Sequence, residues 1–230
     1  MTRPVRFVAP HYAHHVRQRG VRKDPVFHED SDYLVYIRAL KEACSEHFVK
    51  ICAYCLMTNH VHLIAIPTVE DGISKALHDA HTDYSMYFNR KYGLVGHVWQ
   101  GRPNISVMDE NYMWNAIRYV ERNPVRAGMV KRAEDYLWSS AAAHCGLRDD
   151  ILLCSDFPPG GVIVNWPEWL KIDHTEQETR TIREHLSASR PWCSPEVLLQ
   201  LEALTGRNLH LRKPGRPKKN RGQTGEFPFL

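Results

Sequence analysis

The sequence lacks the features of a membrane-spanning or secreted protein. No apolar run approaches the ~20 residues that a bilayer-spanning helix needs, and the first residues lead into no signal-peptide core. The six cysteines follow no disulfide or zinc spacing, because Cys52 and Cys55 fall inside a predicted strand and no second pair accompanies them. We therefore expect a reduced, cytoplasmic protein without a membrane partner.

Negative charge is scarce in the C-terminal segment. Residues 1–148 hold 19 Lys and Arg against 15 Asp and Glu, residues 149–205 hold 4 against 10, and residues 206–230 hold 7 against 1. This segregation predicts a mildly basic body, an acidic and mainly helical appendage after it, and a basic, disordered tail. A basic tail is typical of proteins that bind a polyanion, usually nucleic acid, although it can also be a solvated end without a partner.

A pair of histidines begins the most apolar predicted strand, residues 60–66. Side chains of a strand alternate between its faces, so His60 and His62 lie on one face, about 7 Å apart. The apolar residues that follow predict a central strand covered on both faces. Two imidazoles so placed can hold one divalent cation, but hydrogen bonds at a sheet edge would account for them equally well. His14 or His15 could be a third ligand or could face solvent.

Strands and amphipathic helices alternate along the predicted body. Ser31 is the predicted N-cap of the first helix, and the tyrosines Tyr84 and Tyr87 of the second helix are interpreted as packing residues. A two-residue turn joins the second strand to the histidine strand in a hairpin. Strands are predicted at residues 14–20, 49–57, 60–66 and 105–108, helices at residues 31–44, 72–90, 110–122, 175–186 and 194–204, and a turn at residues 124–130.

The third predicted helix carries a tyrosine at the border of its buried and polar faces. Asn115, Tyr119 and Asn123 recur with a spacing of four residues, which places them on one face of a helix. The helix should end before Pro124, because a residue that precedes proline avoids the helical region.

A tryptophan stands between the second helix and the fourth strand, beside two polar residues. Trp99, Gln100 and Arg102 together could stack on an unpaired base and hydrogen-bond to it. Alternatively, Trp99 is a core anchor with two surface neighbours.

Four motifs in this order resemble one family of enzymes. They are MTNHVHL at residues 57–63, GHVWQGR at 96–102, RYVERNPVRAG at 118–128 and WSS at 138–140. With them the chain resembles the REP-associated tyrosine transposases, of the single-tyrosine HUH superfamily that includes IS200-like enzymes, over nearly all of residues 5–145. Residues 103–106, PNIS, depart from the family pattern, since many relatives have an aromatic and a basic residue there. Pro103 also removes a backbone donor.

The resemblance implies an α+β fold, in which an antiparallel, ferredoxin-like sheet is backed by helices. It also implies Mg²⁺ or Mn²⁺ bound by His60, His62 and Asn123. Tyr119 matches the family's nucleophile, which attacks single-stranded DNA to leave a 5′-phosphotyrosine and a free 3′-hydroxyl. A phosphodiester is anionic, so a metal ion and nearby positive charge would assist the attack.

The expected partner is single-stranded or hairpin DNA, bound by a monomer or homodimer acting in the nucleoid. The tail, KPGRPKK at residues 213–219, resembles an AT-hook for A·T-rich duplex, although it could also contact phosphates without sequence preference. The residues that we predict to contact DNA are Arg17, Arg19, Trp99, Gln100, Arg102, Arg118, Arg122 and Arg126 in the body, and Lys213, Arg216, Lys218 and Lys219 in the tail.

Two alternatives to the transposase interpretation remain at this point. In one, the protein is a DNA- or RNA-binding regulator that keeps the fold but does not cleave. In the other, it is a metal-dependent phosphodiesterase that uses water as its nucleophile, so that Tyr119 is structural and no covalent protein–DNA species forms.

Overall fold

Four antiparallel strands form the central sheet of the computed structural model, which describes residues 7–157, 163–206 and 208–209. The strand order is β2-β3-β1-β4. The histidine strand β3 therefore lies in the interior of the sheet, as its apolar residues predicted. The strands are β1 (Ala13–Arg19), β2 (Val49–Met57), β3 (His60–Pro67) and β4 (Asn104–Met108).

The register of β1 against β3 determines which side chains surround the histidines. Residues directly opposite each other in an antiparallel pair share one face of the sheet. Arg17 lies opposite His62, and Arg19 lies opposite His60. The two arginines of β1 therefore stand beside the two histidines of β3, on the same face and at the same end of the sheet.

Two long helices, α1 (Asp30–Glu46) and α2 (Gly72–Tyr92), cover the opposite face. Tyr84 donates to the carbonyl of Val26, and Tyr87 donates to the Asp32 carboxylate, 3.0 Å away. Both tyrosines are therefore structural, as predicted. The predicted cap of α1 was wrong. Glu29 is the N-cap, because the Asp32 carboxylate accepts the backbone N–H groups of His28 and Glu29 and starts the helix before Ser31.

The histidine face is covered by α3 (Glu110–Glu121) and by shorter helices. Apolar side chains of α3 pack on β2 and β3 and are buried, among them Met113, Ile117 and Val120. The predicted turn at residues 124–130 begins later than expected, because residues 123–126 form a further helical turn, α4 (Asn123–Arg126), and the chain turns at residues 127–129. Proline is accepted in the first turn of a helix, so Pro124 begins α4 instead of ending all helical structure. α5 (Ala141–His144) follows.

The C-terminal part packs on the edge of the same sheet. Its helices are α6 (Trp166–Lys171), which was not predicted, α7 (Glu176–Ala188) and α8 (Pro195–Thr205). Trp192 donates its backbone N–H to Val107 of β4 at 2.7 Å, and Asn104 donates to the carbonyl of Ser187 at 3.2 Å. These contacts place α7 beside β4 and β1, next to the histidine face. None of the described helices is both long and apolar enough to cross a bilayer.

One predicted feature lies outside the described residues. It is the basic tail, with Lys213, Arg216, Lys218 and Lys219.

Candidate active site

The two histidines of β3 form one side of the site. Their ring centroids are 5.1 Å apart. His62 is buried, whereas His60, at the first position of the strand, is half-buried. The pair therefore lies at the end of the sheet, where its partly exposed member can be reached from solvent.

Neighbouring side chains orient both imidazoles. Asn59 donates its Nδ2–H to the carbonyl of Lys23 at 3.0 Å, so its Oδ1 is the atom that faces His60. His60 Nδ1 lies 2.6 Å from this oxygen and must carry the proton, which leaves a lone pair on Nε2. A hydrogen bond of 2.8 Å also joins His62 Nδ1 to His15 Nε2. Hydrogen bonds of this kind hold metal-binding histidines in one tautomer.

The histidines are neutral at physiological pH. Burial, together with the nearby charges of Arg19, Arg17 and Arg126, lowers the pKa of His60 to about 4. Burial also places the pKa of His62 well below its ordinary value. A neutral imidazole with a free lone pair is the form that binds a cation. The chemistry of this pair therefore fits a divalent metal ion.

The interpretation of His14 and His15 as solvent-facing residues was wrong. Both are buried, because β1 is an interior strand of the sheet. His14 accepts the backbone N–H of Ala9 at 3.1 Å, which leaves it no role at the site. His15 points to the other face, where it contacts His62.

Tyr119 of α3 forms the other side of the site. The residue is only 5% exposed. Its ring lies edge-on to His15 and His62, with each centroid 6.0 Å away. The guanidinium of Arg126 stacks on the ring at 3.9 Å, and Arg183 of α7 donates its Nε–H to the phenol oxygen at 3.4 Å. The predicted nucleophile and the histidine pair are therefore neighbours.

Asn123 lies one helical turn beyond Tyr119. Its Oδ1, the atom that would bind a metal ion, accepts from Arg126 at 2.9 Å. Its Nδ2 is buried and has no partner among the described residues. A role for Asn123 as a metal ligand therefore stays a prediction.

Comparison with known proteins identifies the family. The model of the family described as "Transposase IS200 like" matches residues 8–123, half of the chain, including His60, His62, Tyr119 and Asn123. The chain belongs to the IS200-like transposase family. It is therefore a transposase, a DNA-processing enzyme.

Three individual proteins are similar to parts of this chain. A Haemophilus influenzae protein named as a candidate REP-associated tyrosine transposase is 27% identical over 123 residues, which are 48% of this chain and 69% of that protein. The structure of a REP-associated tyrosine transposase bound to a REP hairpin matches with 20% identity and a TM-score of 0.52, over 72% of this chain and all of the other. It shows that the two proteins share a fold. The structure of a candidate transposase from Deinococcus radiodurans is 15% identical, with a TM-score of 0.36 over 53% of this chain and 97% of the other.

The arginines predicted to contact DNA occupy different environments in this transposase. Arg17 and Arg19 are half-exposed at the histidine end of the sheet, and Arg126 lies on Tyr119. Arg118 packs over the Trp169 ring at 5.5 Å. Arg122 is bound to the carbonyl of Leu170 and to Asp173, which ties α3 to α6. The first three therefore border the site, whereas the last two hold α6 and the segment after it in place.

The segment at residues 99–102 also contains both exposed and buried side chains among those predicted to contact DNA. Gln100 and Arg102 are exposed. Trp99 is buried and stacks on His81 at 4.5 Å between centroids. This position agrees with the alternative that Trp99 is a core anchor.

Sequence reasoning missed two contributors to the site, Asn59 and Arg183, and left the role of a third, His15, open. Asn59 belongs to the histidine motif, and a search for polar neighbours of the ligands would have found it. His15 was considered only as a ligand or a solvent-facing residue. Arg183 carries no local signal, because it lies in the acidic segment, and only the packing of α7 brings it to Tyr119.

Proposed function

We propose that this transposase cleaves and rejoins single-stranded DNA through a covalent 5′-phosphotyrosine on Tyr119. The observation that carries the proposal is the position of the phenol. It is buried against His62 and lies between the guanidinium groups of Arg126 and Arg183. A tyrosine that only filled the core would not need two cations, from two different helices, at its ring and its oxygen.

The covalent step exchanges one phosphoester bond for another. The Tyr119 oxygen forms a bond to phosphorus as the bond from phosphorus to the 3′-oxygen breaks. The phenol proton passes to solvent, and the 3′-oxygen takes up a proton to leave a 3′-hydroxyl. Rejoining reverses these changes, so no nucleotide cofactor is consumed.

The chain's own residues position the reactants. His60 and His62 would hold Mg²⁺ or Mn²⁺, with Asn123 as the proposed third ligand, and the ion would offset negative charge on the phosphate oxygens. Arg17, on the histidine face, adds a positive charge near the phenol. Positive charge there would offset negative charge that develops on the reacting oxygens during the attack.

The proposed substrate is single-stranded or hairpin DNA. Two observations support it: membership of a transposase family, and the similarity in fold to a REP-associated transposase that is bound to a REP hairpin. Gln100 and Arg102 are exposed next to the histidine end of the sheet, where they can contact the same strand. We further propose that the basic tail binds A·T-rich duplex or phosphates near the target.

Trapping the intermediate tests the proposal. The full-length protein is incubated with Mn²⁺ and 3′-end-labelled hairpin DNA, taken from the sequence that flanks its gene, and run on a denaturing gel. We expect a labelled protein–DNA adduct that disappears with Tyr119→Phe and persists with Tyr112→Phe, a matched change on the same helix. Cleavage without any adduct would instead support a phosphodiesterase that uses water, and binding without cleavage would support a regulator.

A further inference from the structure

A cavity of about 650 Å³ opens beside Tyr119, between α4 and α7. Three arginines line it, Arg126, Arg180 and Arg183, together with two glutamates, Glu176 and Glu184. Its size is in the range of small-ligand sites. We call it the α7 cavity.

The charge of the α7 cavity favours an anion. A histidine, His174, also lines the cavity. Burial lowers the pKa of His174 to about 4, so this side chain is neutral at physiological pH. The three arginines then outnumber the two glutamates. The segment that supplies α7 is acidic as a whole, with 4 basic residues in residues 149–205, yet two of those four, Arg180 and Arg183, face this one cavity.

The two α7 arginines are available to a ligand. Spacings of four residues from Glu176 to Arg180 and from Arg180 to Glu184 would allow ion pairs along the helix. In the part of the chain that the structure describes, however, neither Arg180 nor Arg183 forms an ion pair with a carboxylate. Arg183 donates one hydrogen bond, from Nε to the phenol oxygen of Tyr119. A guanidinium has five N–H donors, so most of its donors remain available.

We propose that the α7 cavity binds the DNA backbone, with Arg183 on the phosphate that Tyr119 attacks and Arg180 on the neighbouring phosphate. The guanidinium fork matches the geometry of phosphate oxygens, and Arg183 already contacts the oxygen that forms the new bond. Arg183 is then a catalytic residue. Its part of the proposal rests on the proposed function of Tyr119.

Two further observations favour DNA as the occupant. The basic tail of this chain cannot fill a cationic cavity, because residues 206–230 carry 7 basic residues against 1 acidic residue. Two of the cavity's arginines, Arg126 and Arg183, also contact Tyr119, so a strand bound at the phenol lies next to them. The match to the family model ends at residue 123, so α7 and its arginines lie outside the matched region.

Binding tests the cavity without any need for cleavage. The probe is a labelled single-stranded oligothymidine, titrated by fluorescence anisotropy in EDTA against the full-length chain carrying Tyr119→Phe. Each phosphate contact on a single strand contributes about 0.7 to the slope of log affinity against log salt. We expect Arg183→Gln and Arg180→Gln each to lower this slope by about 0.7, and Arg38→Gln, the same change on an exposed residue of α1, to leave it unaltered. Cavity variants that behave like Arg38→Gln would overturn the proposal.

Adduct formation tests the catalytic part, with Tyr119 intact, Mn²⁺ present and hairpin DNA at saturation. Arg183→Lys keeps the charge but loses the planar fork. We expect it to retain the salt slope and slow adduct formation more than tenfold, whereas Arg38→Gln, outside the cavity, should form the adduct at the wild-type rate. A wild-type rate in Arg183→Lys would refute contact with the reacting phosphate.

The two assays separate two kinds of failure. If the wild-type protein forms no adduct, the proposed function of Tyr119 is wrong, and with it the catalytic role of Arg183, while the binding titration still decides whether the cavity holds DNA. Circular dichroism melting of each variant confirms that the compared proteins are folded.

Discussion

Glu121, two residues after the proposed nucleophile, should be one of the most sensitive positions for stability. Its side chain is fully buried. Ser140 Oγ donates to Oε1 at 2.5 Å and His144 Nδ1 donates to the same oxygen at 2.6 Å, while Trp166 Nε1 donates to Oε2 at 2.8 Å. One carboxylate therefore joins the helix of Tyr119 to α5 and α6.

The geometry sets the magnitude of the effect of Glu121→Gln. Glutamine can place its one oxygen where Ser140 and His144 donate, but its amide N–H₂ group then faces the N–H of Trp166. Two donors are left buried without a partner. Each such group costs about 1–3 kcal/mol, so the free energy of unfolding should fall by about 2–6 kcal/mol.

Urea denaturation followed by circular dichroism measures this difference. The control is Glu168→Gln, because Glu168 is exposed and, among the described residues, forms an ion pair with the exposed Lys171. Its free energy of unfolding should change by less than about 1 kcal/mol. A Glu121→Gln protein no less stable than the Glu168→Gln protein would show that the three hydrogen bonds do not hold these helices together.

Three further predictions address the metal site, the pH dependence and the tail. Asn59→Ala frees the His60 ring and should weaken Mn²⁺ binding about 10–100-fold, measured by calorimetry; unchanged affinity would mean that the hydrogen bond does not orient the ligand. Burial lowers the pKa of His14 to about 4 from 6.5, so the unfolded chain binds this proton first as pH falls. Stability should therefore decrease below pH 6.5, by about 1.4 kcal/mol per pH unit from this group, and urea denaturation at pH 7 and pH 5 should show a smaller loss in His14→Gln. Truncation after Gly206 should flatten the salt dependence of duplex binding by several units, at about 0.9 per phosphate contact; an unchanged slope would remove the tail from DNA binding. If the tail is an AT-hook, Arg216→Ala should weaken binding to A·T-rich duplex more than to G·C-rich duplex.

Much of the fold was predictable because its elements carry strong local patterns. The period-two alternation placed His60 and His62 on one face of β3, and the bounds of β2 were predicted as observed. The helical spacing of Tyr119 and Asn123 predicted that both residues share one surface, although Asn123 begins α4 and does not continue α3. The errors at α1 and α4 arose at helix ends, where one residue determines whether a turn is helical. The Asp32 carboxylate starts α1 earlier than predicted, and Pro124 fits into the first turn of α4.

The amino-acid sequence by itself determined which residues share a face within each element, because backbone geometry fixes that relation over a few residues. Only the tertiary structure decided which faces meet. The register of β1 against β3 brings His15 to His62, 47 positions away. The packing of α7 on β4 and β1 brings Arg183 to Tyr119, 64 positions away. Such contacts depend on how separate elements pack, which no local period encodes. The candidate active site therefore combines His60, His62 and Tyr119, which the sequence predicted, with Arg183, which lies in the acidic appendage and reaches the site only through packing.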